Sequence, residues 1–416
     1  MERVAEIIKT KVCIIGAGPA GSAASMGLSK HKVDHVLLDR ATFPRDKICG
    51  DALSGKVVYV LNRIKPELVP ELSTITDQFL PSWGISFVAP NGKKLDVPFK
   101  TTRNADDQAP GFIATRMDFD SFMFTHTVSK FCTTKTGSKV VDFEISKTGS
   151  KVVCSNGDVI EAELLIDCSG AHSKIAKSVG IEMELAHYSA GLRMYFENVA
   201  DLHPEGYIEL HFIKDVLPGY FWIFPMPNNR VNVGIGMLSK EVSRKKVNLK
   251  KEINNIIANH PEISKRFKNA KMIDDVKGWG LPMGSKKRQI SSNRLMICGD
   301  AASIIDPFTG EGIGNAMISA KYAADVAAEA LNENDFSSNR LGSYDQLVYK
   351  HLWPELNMSH KLQRMVKYPF LFNFVVNKGR RNKEFSALLT AMFENVDLRS
   401  KFRDPRFYMK LLFGGK

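Results

Sequence analysis

Cysteine is scarce and scattered. Six cysteines stand at positions 13, 49, 132, 154, 168 and 298 of the 416-residue chain, and none forms a C-x-x-C pair. Neither a zinc site nor any other metal site is indicated, nor is a disulfide framework, and a reducing cytoplasm is the expected setting. No apolar run reaches the roughly 20 residues that span a bilayer. A signal peptide is not expected, because a segment that reads as a strand already starts near Lys11. Internal repeats, long linkers and recognisable nucleic-acid-binding modules are missing too, which sets nucleic acid aside as a partner. What remains is an ordinary globular composition, 44% hydrophobic and 25% charged, on a chain long enough for two joined domains.

The segment Lys11 to Ser25, KVCIIGAGPAGSAAS, organises the rest. It opens on Val12-Cys13-Ile14-Ile15, passes Gly16, Gly18 and Gly21 in G-x-G-x-x-G spacing, and continues through Ala20 and further alanines as a helix. Gly16 permits the turn, Gly18 lets the backbone approach a pyrophosphate, and Gly21 lets helix and strand pack closely. The helix N-terminus offers N–H groups to the phosphates. A second apolar run, Val33 to Leu38, ends at Asp39-Arg40, with Asp39 18 residues beyond Gly21. That is near the spacing of a carboxylate that bonds an adenosine ribose. A dinucleotide site is expected here, and the fingerprint leaves FAD and NAD both open.

Further along, Pro44 and Gly50 punctuate a loop, with a helix expected from near Ala52. Cys49 reads equally as a small packed residue or as a thiol near the reactive end of the cofactor, flanked by Lys47 and Asp51. Residues 82–100 read as a hairpin turning at Pro90-Asn91-Gly92, the first piece of a second sheet. Arg116 stands between a strand and the helical Asp118-Phe119-Asp120 segment, fit for a surface charge or for a phosphate or ribose. Residues 138–161 read as an antiparallel meander. A buried strand then ends in Asp167-Cys168-Ser169-Gly170.

In Tyr220-Phe221-Trp222-Ile223-Phe224-Pro225, alternation sets Tyr220, Trp222 and Phe224 on one strand face. They are core aromatics or a flat apolar wall beside a cofactor or hydrophobic substrate. Residues 241–270 look helical. A late strand ends at Gly299-Asp300, followed by a loop through Gly310, Gly312, Ile313, Gly314 and Asn315 and an Ala-rich helix to about Leu331. Net charge is +12, and Lys361 to Lys416 carries thirteen Lys/Arg against four Asp/Glu. That stretch reads as a solvated helical surface or as a site for an anionic partner such as a membrane face or charged substrate.

Three separated segments then agree: Gly16–Gly21 with Asp39, Arg116 with its Asp-Phe-Asp helix, and Gly299-Asp300 with the Pro-Phe-Thr-Gly-Glu-Gly loop. Together they resemble the FAD-binding motifs of the para-hydroxybenzoate hydroxylase-like flavoprotein superfamily. Lys47-Ile48-Cys49-Gly50, and Tyr220-x-Trp222-x-Phe224-Pro225 followed by Asn232-Val233-Gly234-x-Gly236, are similar to its geranylgeranyl reductase branch. Flavin-dependent halogenases carry a comparable motif, with Trp in the place of Tyr220 and Ile in the place of Phe224.

The resemblance implies an α/β fold: a Rossmann-like FAD-binding domain, an interleaved antiparallel β-sheet substrate domain and a helical C-terminal region. The expected boundaries are 1–80, 111–180 and 285–335 for FAD, 81–110 and 181–284 for substrate, and 336–416 for the helical region. Asp39, with neighbouring Arg40, would meet the adenosine ribose, and Arg116 the phosphate–ribitol region. Asp300 would bind a ribitol hydroxyl. The Gly310–Asn315 backbone would face the flavin pyrimidine. Ala20, Cys49, Gly50 and Gly299 complete the expected FAD set. Cys49, Tyr220, Trp222 and Phe224 are the expected catalytic and cavity-wall residues.

The activity implied is reduction of isoprenoid C=C bonds by hydride from reduced FAD, on a prenyl pyrophosphate, prenylated lipid or quinone. An aromatic monooxygenase or halogenase of the same fold is the alternative. Ser169 stands where many superfamily hydroxylases have an Asp used around NADPH, so the electron donor, NADPH or a redox protein, stays open. The expected location is cytoplasmic, with peripheral contact at the inner membrane face left open.

Overall fold

The computed structural model describes residues 5–104 and 106–382, with Ser386 and Thr390 beyond them. Part of the expected helical region 336–416, and with it part of the basic stretch, lies outside the described residues.

Strand Ile7–Ile15 pairs in parallel with Val159–Asp167 on one side and His35–Leu38 on the other. Leu295–Ile297 and Cys132–Lys135 extend the sheet outward, also in parallel. The runs Val12–Ile15 and Leu164–Ile166 are buried throughout. This explains why they are continuously apolar rather than alternating: a parallel sheet is covered on both faces. Helices Pro19–Lys30 and Ile313–Glu333 pack together at short range. A Cβ on Gly27 would lie 2.7 Å from that of Ala324. The meander Val140–Ile145, Ser150–Cys154 joins Val159–Asp167 in antiparallel fashion.

The second sheet runs in the order Lys94–Pro98, Gly84–Val88, Ile208–His211, Tyr220–Pro225, Arg230–Leu238, Tyr188–Glu197. All of these pairs are antiparallel except Gly84–Val88 with Ile208–His211. Its two faces are both used. Phe221 and Ile223 pack with Ile253 and Ile256 of helix Leu249–Asn259. Trp222 and Phe224 pack instead with Phe372 and Val376 of helix Pro369–Arg381. The alternation in the sequence is thus a sheet with two different partners.

Two local expectations change. Ala52–Leu53 is a short strand paired to Phe112 and Ile113, and the helix starts at Gly55, where Ser54 accepts the Lys56 N–H as a cap. The helical stretch 241–270 is three pieces, Ser239–Lys245, Leu249–Asn259 and Ile263–Arg266. Among the described residues no helix is long and apolar enough to cross a membrane.

Candidate functional site

A cavity of about 740 Å³ runs from the glycine loop to the aromatic face of the second sheet, within the size range of small-molecule sites. The three glycines of the fingerprint do different work. A Cβ on Gly16, whose φ is +96°, would meet the Cys168 carbonyl oxygen at 2.5 Å, and one on Gly21 would meet the Gly16 oxygen at 1.7 Å. Both are packing requirements. A Cβ on Gly18 meets nothing closer than Arg45 Nη2 at 3.4 Å. The protein itself would accept a side chain there, so the bare backbone at Gly18 serves something else.

The charges around Gly18 say what. Arg116 grips the fully buried Asp120 through Nε at 2.6 Å and Nη2 at 2.8 Å, and Arg45 Nη1 stands 2.8 Å from the same carboxylate. Two guanidiniums on one carboxylate leave net positive charge, and the N-terminus of helix Pro19–Lys30 has no side-chain cap. A pyrophosphate fits this cradle. Asp39 accepts the Ala17 N–H through Oδ2 and the Ala41 N–H through Oδ1, both at 2.8 Å. It therefore braces the loop while lining the cavity beside Arg40. Asp300 also lines it, 3.2 Å from the Lys47 ammonium. Asp167 closes the strand-end turn by accepting from the Ser169 and Ser173 hydroxyls.

Of the expected cofactor set, Gly16, Gly18, Ala20, Cys49, Gly50, Arg116, Gly299, Gly310, Gly312 and Ile313 also line the cavity, whereas Gly21, Gly314 and Asn315 are not in its lining. A Cβ on Gly314 would come within 2.4 Å of Lys56 Cβ, so Gly314 joins Gly16 and Gly21 as a packing glycine. Asn315 is turned inward: its Oδ1 accepts from Lys56 Nζ at 2.6 Å and its Nδ2 donates to the Ile304 carbonyl at 2.8 Å. Glu311 already caps the helix by accepting the Gly314 N–H at 2.7 Å. The fit to a dinucleotide thus rests on the backbone of the loop rather than on Asn315.

The wall strand is tied to both loops. Tyr220 donates its hydroxyl to the Thr309 carbonyl at 2.5 Å, and a Cβ on Gly310 would lie 2.8 Å from that hydroxyl. A Cβ on Gly50 would stand 3.2 Å from the Phe224 ring. Trp222 Nε1 donates to Asn232 Oδ1 at 2.8 Å. Tyr220, Trp222, Phe224 and Cys49 all line the cavity. Burial pushes the Cys49 thiol up, with Arg116 pulling the other way, so Cys49 is a poor thiolate.

In the sequence Asp51 stands only as a neighbour of Cys49. It is fully buried, lies at φ +66° and lines the cavity. Its Oδ2 accepts from Tyr195 Oη at 2.5 Å and Asn232 Nδ2 at 2.8 Å, while Oδ1 has no hydrogen-bond partner among the described residues. Burial pushes its carboxyl from 3.8 up to about 6, opposed by Tyr195, Asn232, Arg193 and Arg116. Arg193 lies 4.0 Å from the centre of the Tyr195 ring and ion-pairs with Asp46 and Asp274. The Cys-Gly-Asp run next to the wall motif was the available signal. The partners are far apart in sequence, and no local spacing announces them.

Comparison with known proteins agrees with this geometry. Residues 9–63 and 111–353 match the family described as FAD binding domain. The chain is 28% identical to digeranylgeranylglycerophospholipid reductase of Methanosarcina acetivorans, over 83% of this chain and 80% of that one. It is 29% identical to digeranylgeranylglycerophospholipid reductase 1 of Methanosphaera stadtmanae, over 94% and 92%. It is 25% identical to menaquinone reductase of Mycolicibacterium smegmatis, over 87% and 85%. Among solved structures, a geranylgeranyl bacteriochlorophyll reductase-like protein from Thermoplasma acidophilum superposes with TM-score 0.79 at 21% identity, covering 96% of this chain and 99% of that one. The flavin-dependent brominase Bmp2 superposes with TM-score 0.74 at 18% identity, covering 97% and 99%. At such identities the solved structures carry the fold alone.

Proposed function

The chain belongs to the FAD-binding domain family, and on that premise we propose that it reduces carbon–carbon double bonds of an isoprenoid chain carried by a lipid, quinone or pyrophosphate. It is an FAD-dependent oxidoreductase of the geranylgeranyl reductase type. The observation that carries the substrate reading is the continuity of one cavity, from the Gly18 cradle to the apolar wall of Trp222, Phe224, Ile85 and Leu210. The names of the relatives, lipid and menaquinone reductases, support the same class of substrate.

FAD, when bound and reduced, supplies hydride. The residues of the chain do the rest. Gly18, Arg45 and Arg116 would hold the pyrophosphate of FAD, and the Gly310–Ile313 backbone would face its ring. The wall strand shapes a dry slot for the prenyl chain, in which each buried CH₂ contributes about 0.8 kcal/mol. An isolated alkene is a poor hydride acceptor, so a proton must lead or accompany the transfer, and exclusion of water matters. The electron donor is external, NADPH or a redox protein. Peripheral contact with an anionic membrane face is supported by helix Pro369–Arg381, which exposes Phe370 and Phe374 beside exposed Arg380 and Arg381.

The test uses the purified holoprotein, its flavin reduced by dithionite without oxygen, mixed with a geranylgeranyl lipid, a prenylated quinone or geranylgeranyl pyrophosphate. The expected outcome is flavin reoxidation with a mass gain of two hydrogens per double bond. A flavin that stays reduced until oxygen is admitted, then forms a hydroperoxide-like spectrum, would transfer the assignment to the monooxygenase or halogenase reading, whose fold Bmp2 shares.

A further inference from the structure

Reduction of an alkene needs an acid as well as a hydride, and the cavity is lined by several titratable groups, of which Asp39 is held by the Ala17 and Ala41 N–H groups and Asp300 by the Lys47 ammonium. Glu311 spends one carboxylate oxygen on the Gly314 N–H. Burial raises the Cys49 thiol and makes it a weak proton donor. Asp306 takes the Phe308 and Thr309 N–H groups and is not in the lining. Asp51 differs from all of them. Both of its donors, Tyr195 Oη and Asn232 Nδ2, converge on Oδ2. A proton on this carboxyl therefore sits on Oδ1, the oxygen without a partner among the described residues. The backbone is pinned as well, since the Asp51 carbonyl accepts the Ala114 N–H at 3.1 Å. Asn232 links the acid to the wall: it donates to the Cys49 carbonyl at 2.9 Å and accepts from Trp222.

From this geometry we propose that Asp51, held through Oδ2 by Tyr195 and Asn232, gives the Oδ1 proton to the alkene carbon that does not receive hydride. The proposal rests on the reductase reading above. One C–H bond forms with the Asp51 proton and the other with hydride. The alkene π bond is consumed, the two electrons come from the reduced flavin of that reaction, and Asp51, left as carboxylate, takes a proton back from water. Tyr195 is a positioning residue, steadied by Arg193. The charged and titratable groups facing Asp51 are Cys49 from its own loop, Arg116 from the helix Arg116–Thr125, and Arg193 with Tyr195 from the strand Tyr188–Glu197. The cations and the two hydrogen bonds favour the carboxylate, and burial favours the acid.

The experiment compares wild type with Asp51→Asn and Tyr195→Phe. In Asp51→Asn, FAD affinity, read by flavin fluorescence on titration, should stay within about threefold of wild type. Prenyl-dependent reoxidation of the chemically reduced flavin should fall at least about 100-fold, the usual contribution of a general acid. An infrared carbonyl band of a protonated carboxyl, titrating near pH 6 in wild type, should be missing from the variant. Tyr195→Phe removes a bond that favours the carboxylate, so the alkaline limb of the reoxidation rate, where the acid is lost, should move to higher pH.

If wild type reduces the alkene and Asp51→Asn matches it, the acid is elsewhere and this proposal falls alone. If wild type itself reduces no prenyl substrate, the reductase reading falls and takes the proposal with it. Should Asp51→Asn not fold, Tyr195→Phe decides: an unmoved limb overturns the assignment.

Discussion

The two sheets meet the cavity in opposite ways. The parallel sheet presents strand ends and bare backbone: Gly16, Gly18 and Gly299 line the cavity, and nearby side chains mainly brace the loops. The antiparallel sheet presents the side chains of a strand face, Tyr220, Trp222 and Phe224. A backbone-built site tolerates almost no side chain and therefore writes itself into short glycine spacings. A side-chain-built site can be assembled from any strands that pair, so its members are distant in sequence. The first half suits a large invariant group such as a dinucleotide. The second can change its occupant without changing the fold, which is how reductases and a brominase share one architecture.

The sharpest way to break this contrast is inside the glycine loop itself. Gly21→Val puts a Cβ 1.7 Å from the Gly16 oxygen, a clash of backbone against backbone that should cost more than about 4 kcal/mol and leave no cooperatively melting protein. Gly18→Val meets only ordinary contacts. It should therefore fold, melt near the apo wild type and bind no FAD. Flavin absorbance after purification, set beside a thermal melt, separates the two. A fully flavinylated Gly18→Val protein would overturn the division between packing and cofactor glycines.

On the other side, Trp222→Ala should leave FAD bound and cripple turnover per flavin, at a stability cost of about 3–5 kcal/mol for an aromatic truncated in a core. Trp222 is 8% exposed and bonded to Asn232, so truncation also leaves a buried acceptor unpaired. Flavin content and product per flavin are the measurements. Loss of FAD with unchanged turnover per remaining flavin would remove Trp222 from the wall.

How much was legible beforehand follows the same division. The strand, turn and helix over Ile7–Lys30 could be read directly, because a buried parallel strand must be apolar and the turn must be glycine. Alternation in Tyr220–Pro225 marks the face of Tyr220, Trp222 and Phe224 as a candidate wall, and those three line the cavity; what packs on the other face could not be read. Asp51 could not be read as more than a neighbour of Cys49. Tyr195 and Asn232 stand 144 and 181 positions away from it, and their meeting depends on the register Tyr195↔Asn232 between two strands. Arg116 was legible as a charge between strand and helix, but the second guanidinium, Arg45, enters only through the fold. Ala52 was misread as a helix start because the Ser54 cap lies beyond a two-residue strand that only its pairing to Phe112 and Ile113 reveals.

Asp51 also lets stability report on the side-chain half. Its carboxyl is raised from 3.8 to about 6 when folded, by burial. The folded chain then holds this proton more tightly than the unfolded chain. The resulting stabilisation is fully present below about pH 4 and is lost as pH rises through about 6, a change of about 3 kcal/mol. Melting of the flavin-free protein should show wild type losing its advantage over Asp51→Asn between those values. A difference that stays flat with pH would mean that Asp51 is ionised throughout.

The smallest expected effect tests the seam between the halves. Tyr220 donates to the Thr309 carbonyl, one strand face holding one cofactor loop. Tyr220→Phe keeps the ring beside Trp222 and Phe212, whose centroids lie 6.1 and 5.8 Å away, and deletes only the hydroxyl. A hydrogen bond of this kind contributes about 1 kcal/mol net, so the melt should shift by that order. If the loop is positioned by this tether, FAD affinity should weaken several-fold while the Gly18 cradle still holds the pyrophosphate. Titration of the apo variant with FAD reads this directly. An unchanged affinity would mean that the Gly310–Ile313 loop is positioned from within its own half, by Glu311 capping Gly314 and by Asp306 holding Thr309, and that the two sheets meet at the cavity without setting each other's geometry.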